Sequence, residues 1–450
     1  MRAHINKRRT HAITATSPPV MRRALTWLAT GLALGAIVSG SGTARQWMKP
    51  GVTAIRLVAS VGPMADPAIP HPGTLSVLFG VACASASSCW AVGGFRNAKD
   101  VEFNEAFHWG GSRWSAAPVP SPGGSAGGDV SELEAATCPS ATSCWAVGFT
   151  QKFNLAVLNQ ALRWNGKKWS KTPVPSPAGS APPDSSVLNG VTCNSSTSCW
   201  AVGSAAAING SERNVALHWN GRKWSRVTTP DPAGTAGGDL NLLSAVRCLS
   251  AADCWAVGAT GTNMGHHELL KNEALHWNGR RWSVIPTPNP GGTAPDDINS
   301  LLGVACPSTR SCWAVGSFGS LTQLSRNEAL HWNGHKWSLA FTPDPDGTGA
   351  GAQNRLRAVA CTSPANCWAV GNYGSTPGVV VNEALRWNGK KWTLVPTPDQ
   401  GGLALGDQNV LRSVRCVTPA NCWAVGGSHM AGQNVINQAL RWNGVHWAIR

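Results

Sequence analysis

Residues Cys138 to Gly148 read CPSATSCWAVG, two cysteines six positions apart with a tryptophan directly after the second. The same arrangement returns seven times. Its second cysteines are Cys89, Cys144, Cys199, Cys254, Cys312, Cys367 and Cys422, at steps of 55, 55, 55, 58, 55 and 55 residues. Repetition at so constant a period means one supersecondary unit per copy, stacked on its neighbours.

One full unit, Leu301 to Gly347, opens with LLGVACPSTRSCWAVG, passes through a variable run and ends in NEALHWNGHKWSLAFTPDPDG. Four short strands of four to six residues fit it: LxxVxC, CWAVG, ALHW and W-S-x-x-P. Each is rich in Val, Leu and Trp and is bounded by Gly, Asn, Ser or Pro. Period-2 alternation puts Leu330 and Trp332 on one face, and Ala329 and His331 on the other. No 3.6-residue periodicity is long enough for a helix. The 50 glycines, 30 prolines and 13% charged residues agree with a chain of strands and turns.

Four antiparallel strands repeated around an axis make a β-propeller. The expected fold is therefore all-β: a seven-bladed propeller over residues 75–450, with the tryptophans packed between blades. The residue three before each first cysteine is small: Gly80, Ala135, Gly190, Ala245, Gly303, Ala358 and Ser413. Small side chains suit a place where innermost strands crowd an axis.

The WNGxxW hairpin resembles the turn of Asp-box (BNR-type) propellers, and CWAVG is similar to their second strand. The resemblance spans residues 75–450 as a pattern of blades. It departs at the acid, because Asn165, Asn220, Asn278, Asn333, Asn388 and Asn443 stand there, with Gly110 in the first copy. That family includes sialidases and many non-catalytic propellers, so the resemblance implies a fold and leaves activity open.

All 14 cysteines fall in these pairs: Cys83 and Cys89, Cys138 and Cys144, Cys193 and Cys199, Cys248 and Cys254, Cys306 and Cys312, Cys361 and Cys367, Cys416 and Cys422. Opposed residues of a hairpin lie close enough to be bridged, so one disulfide per blade is expected. Zinc usually takes ligands two to four residues apart and would want histidines beside them. Seven equivalent catalytic thiols have no chemical purpose.

Residues 22–44, RRALTWLATGLALGAIVSGSGTA, have the order of a secretory signal peptide, with an uncleaved membrane anchor as the alternative. Either places the repeats in an oxidising, extracellular setting. Residues 45–74 read as a linker. Residues 54–62, AIRLVASVG, are expected to form a ring-closing strand against the seventh blade, since Pro63 and Pro67 stand in register with Pro118 and Pro122. The net charge is +15. Arg2, Lys7, Arg8, Arg9, Arg22 and Arg23 precede Ala44 with no acid among them, which leaves +9 for the rest. No basic run in the repeats suggests nucleic acid, and a monomer is expected.

Function belongs on the loops that vary, which are the second-to-third connections and the blade-to-blade connections. Asn104, Asn159, Asn214, Asn272, Asn327, Asn382 and Asn437 recur at the third strand, and Asp129, Asp184, Asp239, Asp297 and Asp407 recur in the blade connections. Both sets read as turn or backbone partners before ligands. The repeated Glu105, Glu273, Glu328 and Glu383 read as structural. The single tyrosine, Tyr373, sits in GNYGSTPG without an acid in that segment, and no arginine triad stands out. The fourth copy alone is three residues longer, in GATGTNMGHHELLK. His266, His267 and Glu268 in that loop, with Tyr373, are the candidate ligand-binding residues. Near-invariant lengths leave no lid. No catalytic residue, cofactor or metal is assigned. The expectation is a recognition or scaffold module for a glycan or protein ligand, with a sialidase-like glycoside hydrolase as the alternative.

Overall fold

A computed structural model describes residues 75–263, 268–320, 324–376 and 378–450. The first repeat folds into β1 (Leu75–Ser85), β2 (Ser88–Arg96), β3 (Glu102–Trp109) and β4 (Trp114–Ala116), each antiparallel to the one before. Every later repeat copies this order, giving 28 strands in four-stranded groups among the described residues. The third strand of one group meets the first strand of the next in a short parallel bridge, as at Glu102↔Val130 and Val380↔Gln408. Val435 meets Leu75 in the same way, joining the last group to the first. This is a β-propeller with repeated blades.

The first three strands are longer than the four to six residues expected. They absorb most of the variable runs: β2 ends at Arg96 and β3 starts at Glu102, so only five residues of that run lie outside strands. An antiparallel ladder is held by backbone bonds and accepts polar side chains where both faces are not sealed. The seventh group completes itself with Trp447–Ile449 as its fourth strand. Residues 54–62, and with them the expected closing strand, lie outside the described residues, as does the apolar segment 22–44. Among the described residues no helix is long and apolar enough to cross a membrane.

All seven expected disulfides are present, with Cα–Cα distances of 4.0–4.1 Å, and no cysteine is free. They tie the first hairpin of each blade on the face that also carries the WNG turns: Trp164 Nε1 donates to Ala141 O at 3.2 Å, between those two turns. In the WNG turn, Asn165 Oδ1 accepts from the backbone N–H groups of Lys167 and Lys168, both at 3.0 Å. The amide side chain thus caps the turn without an acid.

The core lies between blades. The second-strand tryptophan of each blade is almost fully buried and sits against two tryptophans of the following blade. Trp255 lies 4.7 Å from Trp332 and 5.1 Å from Trp337, measured between ring centroids. At the seam, Trp423 meets Trp109 at 4.6 Å and Trp114 at 4.9 Å. Tilted and edge-on aromatic contacts of this kind add to the burial of large apolar surface. A blade alone would expose these faces, so closing the ring is what buries them.

Every first strand carries a β-bulge just before its small residue, between Leu78 and Gly80 in the first blade and at the equivalent place in the others. The bulge explains the glycine of CWAVG: a Cβ on Gly93 would collide with the carbonyl oxygen of Val77. The small residues serve the axis as expected. A Cβ on Gly80 or Gly303 would fall 2.9 Å from the Cα of Ala135 or Ala358 in the next blade.

Candidate functional site

The recurring polar residues of the variable-loop face are absorbed by the architecture. Asn272 Nδ2 donates to Pro288 O at 2.8 Å within its blade and to Glu328 Oε1 at 2.5 Å in the next. Asn214 pairs with Glu273 and Asn327 with Glu383 in the same way, both at 2.6 Å, while Asn104 pairs with Gln160 and Asn382 with Gln438. Asn437 reaches across the seam to Glu105 at 3.1 Å. Among the described residues the belt breaks once, where Val215 holds the position of the Glu or Gln partner and Asn159 Oδ1 is left without a hydrogen bond. Burial pushes Glu273 and Glu328 up to about 8, and Glu383 well above the usual carboxylate range. These glutamates are structural, as expected, although their partner lies in another blade. The repeated aspartates cap the blade connections: Asp129 Oδ2 accepts from Ala126 N at 2.8 Å and Asp407 Oδ2 from Ala404 N at 2.6 Å. Among the described residues no cluster of His, Cys, Asp and Glu is fit to hold a metal.

What the architecture leaves over lies on the axis. The bulged residue stands between a leucine present in all seven copies and the small residue. Its own identity changes around the ring: Phe79, Glu134, Asn189, Ser244, Leu302, Arg357 and Arg412. The leucines are buried, while each of these seven keeps accessible surface deep inside the molecule. A bulge re-aims a side chain out of the ladder, so these residues line a central channel. Neighbours in this ring touch: the Arg412 guanidinium lies 4.9 Å from the Phe79 ring centroid. Arg357 Nε donates to Asn372 Oδ1 at 3.0 Å.

The channel is electrostatically lopsided. Arg355, Arg357 and Arg412 stand on two adjacent first strands, where burial and mutual repulsion lower the pKa of Arg357 well below its ordinary value. Nearer the disulfide face, burial and Arg247 bring Arg415 down to about 10. The second blade supplies the acids. Glu132 is enclosed and touches the carboxyl groups of Glu102 and Glu134, so burial and those neighbours push its pKa well up. Glu102 also accepts from Arg96 at 3.0 Å.

Of the residues singled out in the sequence, His266 and His267 lie outside the described residues. Glu268 opens the strand Glu268–Trp277 and is buried, so the expected long loop is mostly an extended hairpin. Tyr373 is likewise in a strand, Asn366–Thr376, paired with Asn354 and Val381. It is half-buried, and desolvation, then the negative field of Asp399, Glu383 and Asp346, raises its pKa. Acids therefore surround it from other segments, although its own has none. The channel arginines were missed because they lie on first strands and not in loops. Their signal was present as the one variable position between a constant leucine and a constant small residue.

The chain is similar to β-propeller proteins of known structure. The fucose-specific lectin from Aleuria aurantia is 13% identical, with 71% of this chain and 94% of the lectin covered and a TM-score of 0.38. The β-propeller domain of the Trilobed protease from Pyrococcus furiosus is 8% identical, covering 84% and 96%, with a TM-score of 0.45. Penicillium chrysogenum α-L-arabinanase complexed with arabinobiose is 11% identical, covering 67% and 90%, with a TM-score of 0.36. No family model and no curated protein matches the sequence.

Proposed function

We propose that this is a secreted or cell-surface, monomeric, seven-bladed propeller of Asp-box-like type that recognises a glycan or protein ligand without transforming it. The variable-loop face, with the channel mouth at its centre, is the binding surface. The observation that carries this reading is the set of six residue types among the seven side chains at one repeated bulge. The leucine before the bulge and the small residue after it keep their character in all seven copies, while the side chain between them changes. A mixture of an aromatic ring, guanidinium groups and amides is the usual composition of a site that orients a polar ligand. Seven disulfides suit an extracellular setting.

The remaining expectations stand as part of the same proposal. Residues 1–44 are the export signal or anchor, and 54–62 form a strand that closes the ring. His266, His267, Glu268 and Tyr373 are ligand-binding residues of this face.

A second reading, a glycoside hydrolase, is favoured by the Glu102, Glu132 and Glu134 contact. Two neighbouring carboxyl groups, with burial raising the pKa of Glu132, are the kind of pair from which acid–base glycoside cleavage is built. The two readings part on one experiment. Immobilised glycans retain the purified protein under the first, and substitutions on the disulfide face, such as Lys167→Ala with Lys168→Ala, leave retention unchanged. Release of shortened glycans supports the second.

A further inference from the structure

The first strands contain five arginines, Arg247, Arg355, Arg357, Arg412 and Arg415. Apart from the turn-capping aspartates at the strand starts, only Glu132 and Glu134 oppose them, both in the second blade. Glu132 is already engaged with Glu102 and Glu134. The arginines form two tiers. Arg357 and Arg412 hold bulge positions in adjacent blades, with Arg355 beside them on the same strand as Arg357. Arg247 and Arg415 stand two residues past the small position in the fourth and seventh blades. Three residues of extended chain separate Arg412 from Arg415, which places the tiers about 10 Å apart along the axis. The Nε of Arg412 has no hydrogen-bond partner among the described residues. Four of these side chains, Arg247, Arg357, Arg412 and Arg415, keep accessible surface in the channel and make no ion pair among the described residues. Arg412 feels the charge of Glu134 and Glu132, but the five guanidinium groups outnumber these two acids. Guanidinium groups held partly desolvated and in excess of counter-charge gain strongly from a planar anion that accepts from them in a fork.

We propose that the axial channel binds a linear anionic glycan, with one acidic group held by Arg357 and Arg412 and a second held one tier deeper by Arg247 and Arg415. This rests on the recognition reading above and names its ligand class. The acidic group is a carboxylate or a sulfate ester. A single acidic sugar reaches one tier, whereas an oligomer entering end-on reaches both, so affinity depends on length as well as charge.

The test is calorimetric titration of the full chain with galacturonic acid, a galacturonate tetrasaccharide, the methyl-esterified tetrasaccharide and a sulfated galactose tetrasaccharide. The galacturonate tetramer binds about tenfold or more tighter than the monomer, and esterification removes the binding. Tighter binding of the sulfated oligomer assigns the anion to sulfate and supports the channel equally. Arg247→Gln with Arg415→Gln reduces the tetramer to the affinity of the monomer, and Arg357→Gln with Arg412→Gln abolishes both. Melting curves establish that the variants are folded, and the length and ester comparisons need no variant. Equal binding of acid and ester, no gain with length, or parental affinity in the folded variants overturns the channel site. Binding of neutral glycans alone also overturns it but leaves the recognition reading standing. Binding of no glycan at all removes the channel site and the glycan half of the recognition reading, and leaves a protein ligand as its remaining form.

Discussion

Asn272 and Glu328 meet across a blade boundary with Nδ2 and Oε1 2.5 Å apart, while Asn272 Oδ1 and Glu328 Oε2 are buried without partners. The same two orphans recur at Asn214 with Glu273 and at Asn327 with Glu383. A proton on the free carboxyl oxygen satisfies both atoms at once, because the protonated acid donates to the amide oxygen. Gln160 already does this chemistry, with Nε2 donating to Asn104 Oδ1 at 2.9 Å. The belt therefore works with neutral acids, and burial raises their pKa to suit.

A pH dependence follows, and its sign is unusual for carboxylates. The folded pKa of Glu273 and Glu328 is about 8, against an ordinary carboxylate value of 4.5. Their stabilisation is complete below the unfolded value and is lost as pH rises toward about 8, beyond which it levels off. Melting temperature is expected to fall across that interval. The triple variant Glu273→Gln, Glu328→Gln, Glu383→Gln should flatten the fall. A melting temperature that rises from pH 5 to 8 in the parent contradicts neutral acids in the belt.

The break in the belt is open to repair. Val215 is buried where other blades carry Glu or Gln, and Asn159 Oδ1 is left without a partner. Val215→Gln copies the geometry of Gln160 and is expected to stabilise the protein by about 0.5–1.5 kcal/mol. Urea unfolding measures this, and a loss of stability would mean that the third blade lacks room for the amide.

Ring closure is tested at the seam. Trp423 packs on the first blade as Trp255 packs on the fifth. Replacing either by Ala is expected to cost about 3–5 kcal/mol. Equal losses in denaturant melts are the mark of a closed ring. A much smaller loss for Trp423→Ala would indicate that the seam opens in solution.

Much of the fold was legible because the repeat does the work of many sequences. Seven copies separate what is constant, such as the cysteines, the tryptophans and the small axial residue, from what drifts. The Asn–Glu pairing was not legible, since its partners lie 56 residues apart or more and belong to different blades. A single unit contains no hint of that register. The exchange of Glu for Gln at Gln160 and Gln438 was the available clue, since it keeps a hydrogen-bonding end and drops the charge. Tyr373 and Glu268 were misplaced into loops for a different reason: strand extensions held by backbone bonds leave little trace in side-chain pattern. The channel arginines follow from the bulge, whose sequence mark is the glycine opposite it, a residue that reads equally well as a strand terminator.

The disulfides contribute locally. Each closes a short loop, so Cys306→Ser with Cys312→Ser is expected to cost about 2 kcal/mol and leave the other blades intact. Peptide mapping after alkylation without reductant should then find the six remaining pairs within their own hairpins. Pairing between blades would contradict the register of these strands.

The central claim is that the channel face recognises a ligand and does not transform it. The direct measurement is to hold the purified protein at saturation with each oligosaccharide it retains, then to analyse the ligand by mass spectrometry after prolonged incubation. The account predicts that the ligand is recovered at its original length, with the bound fraction unchanged. Shortened products that disappear in a folded Glu132→Gln variant would contradict it and make the Glu102, Glu132 and Glu134 group a catalytic centre.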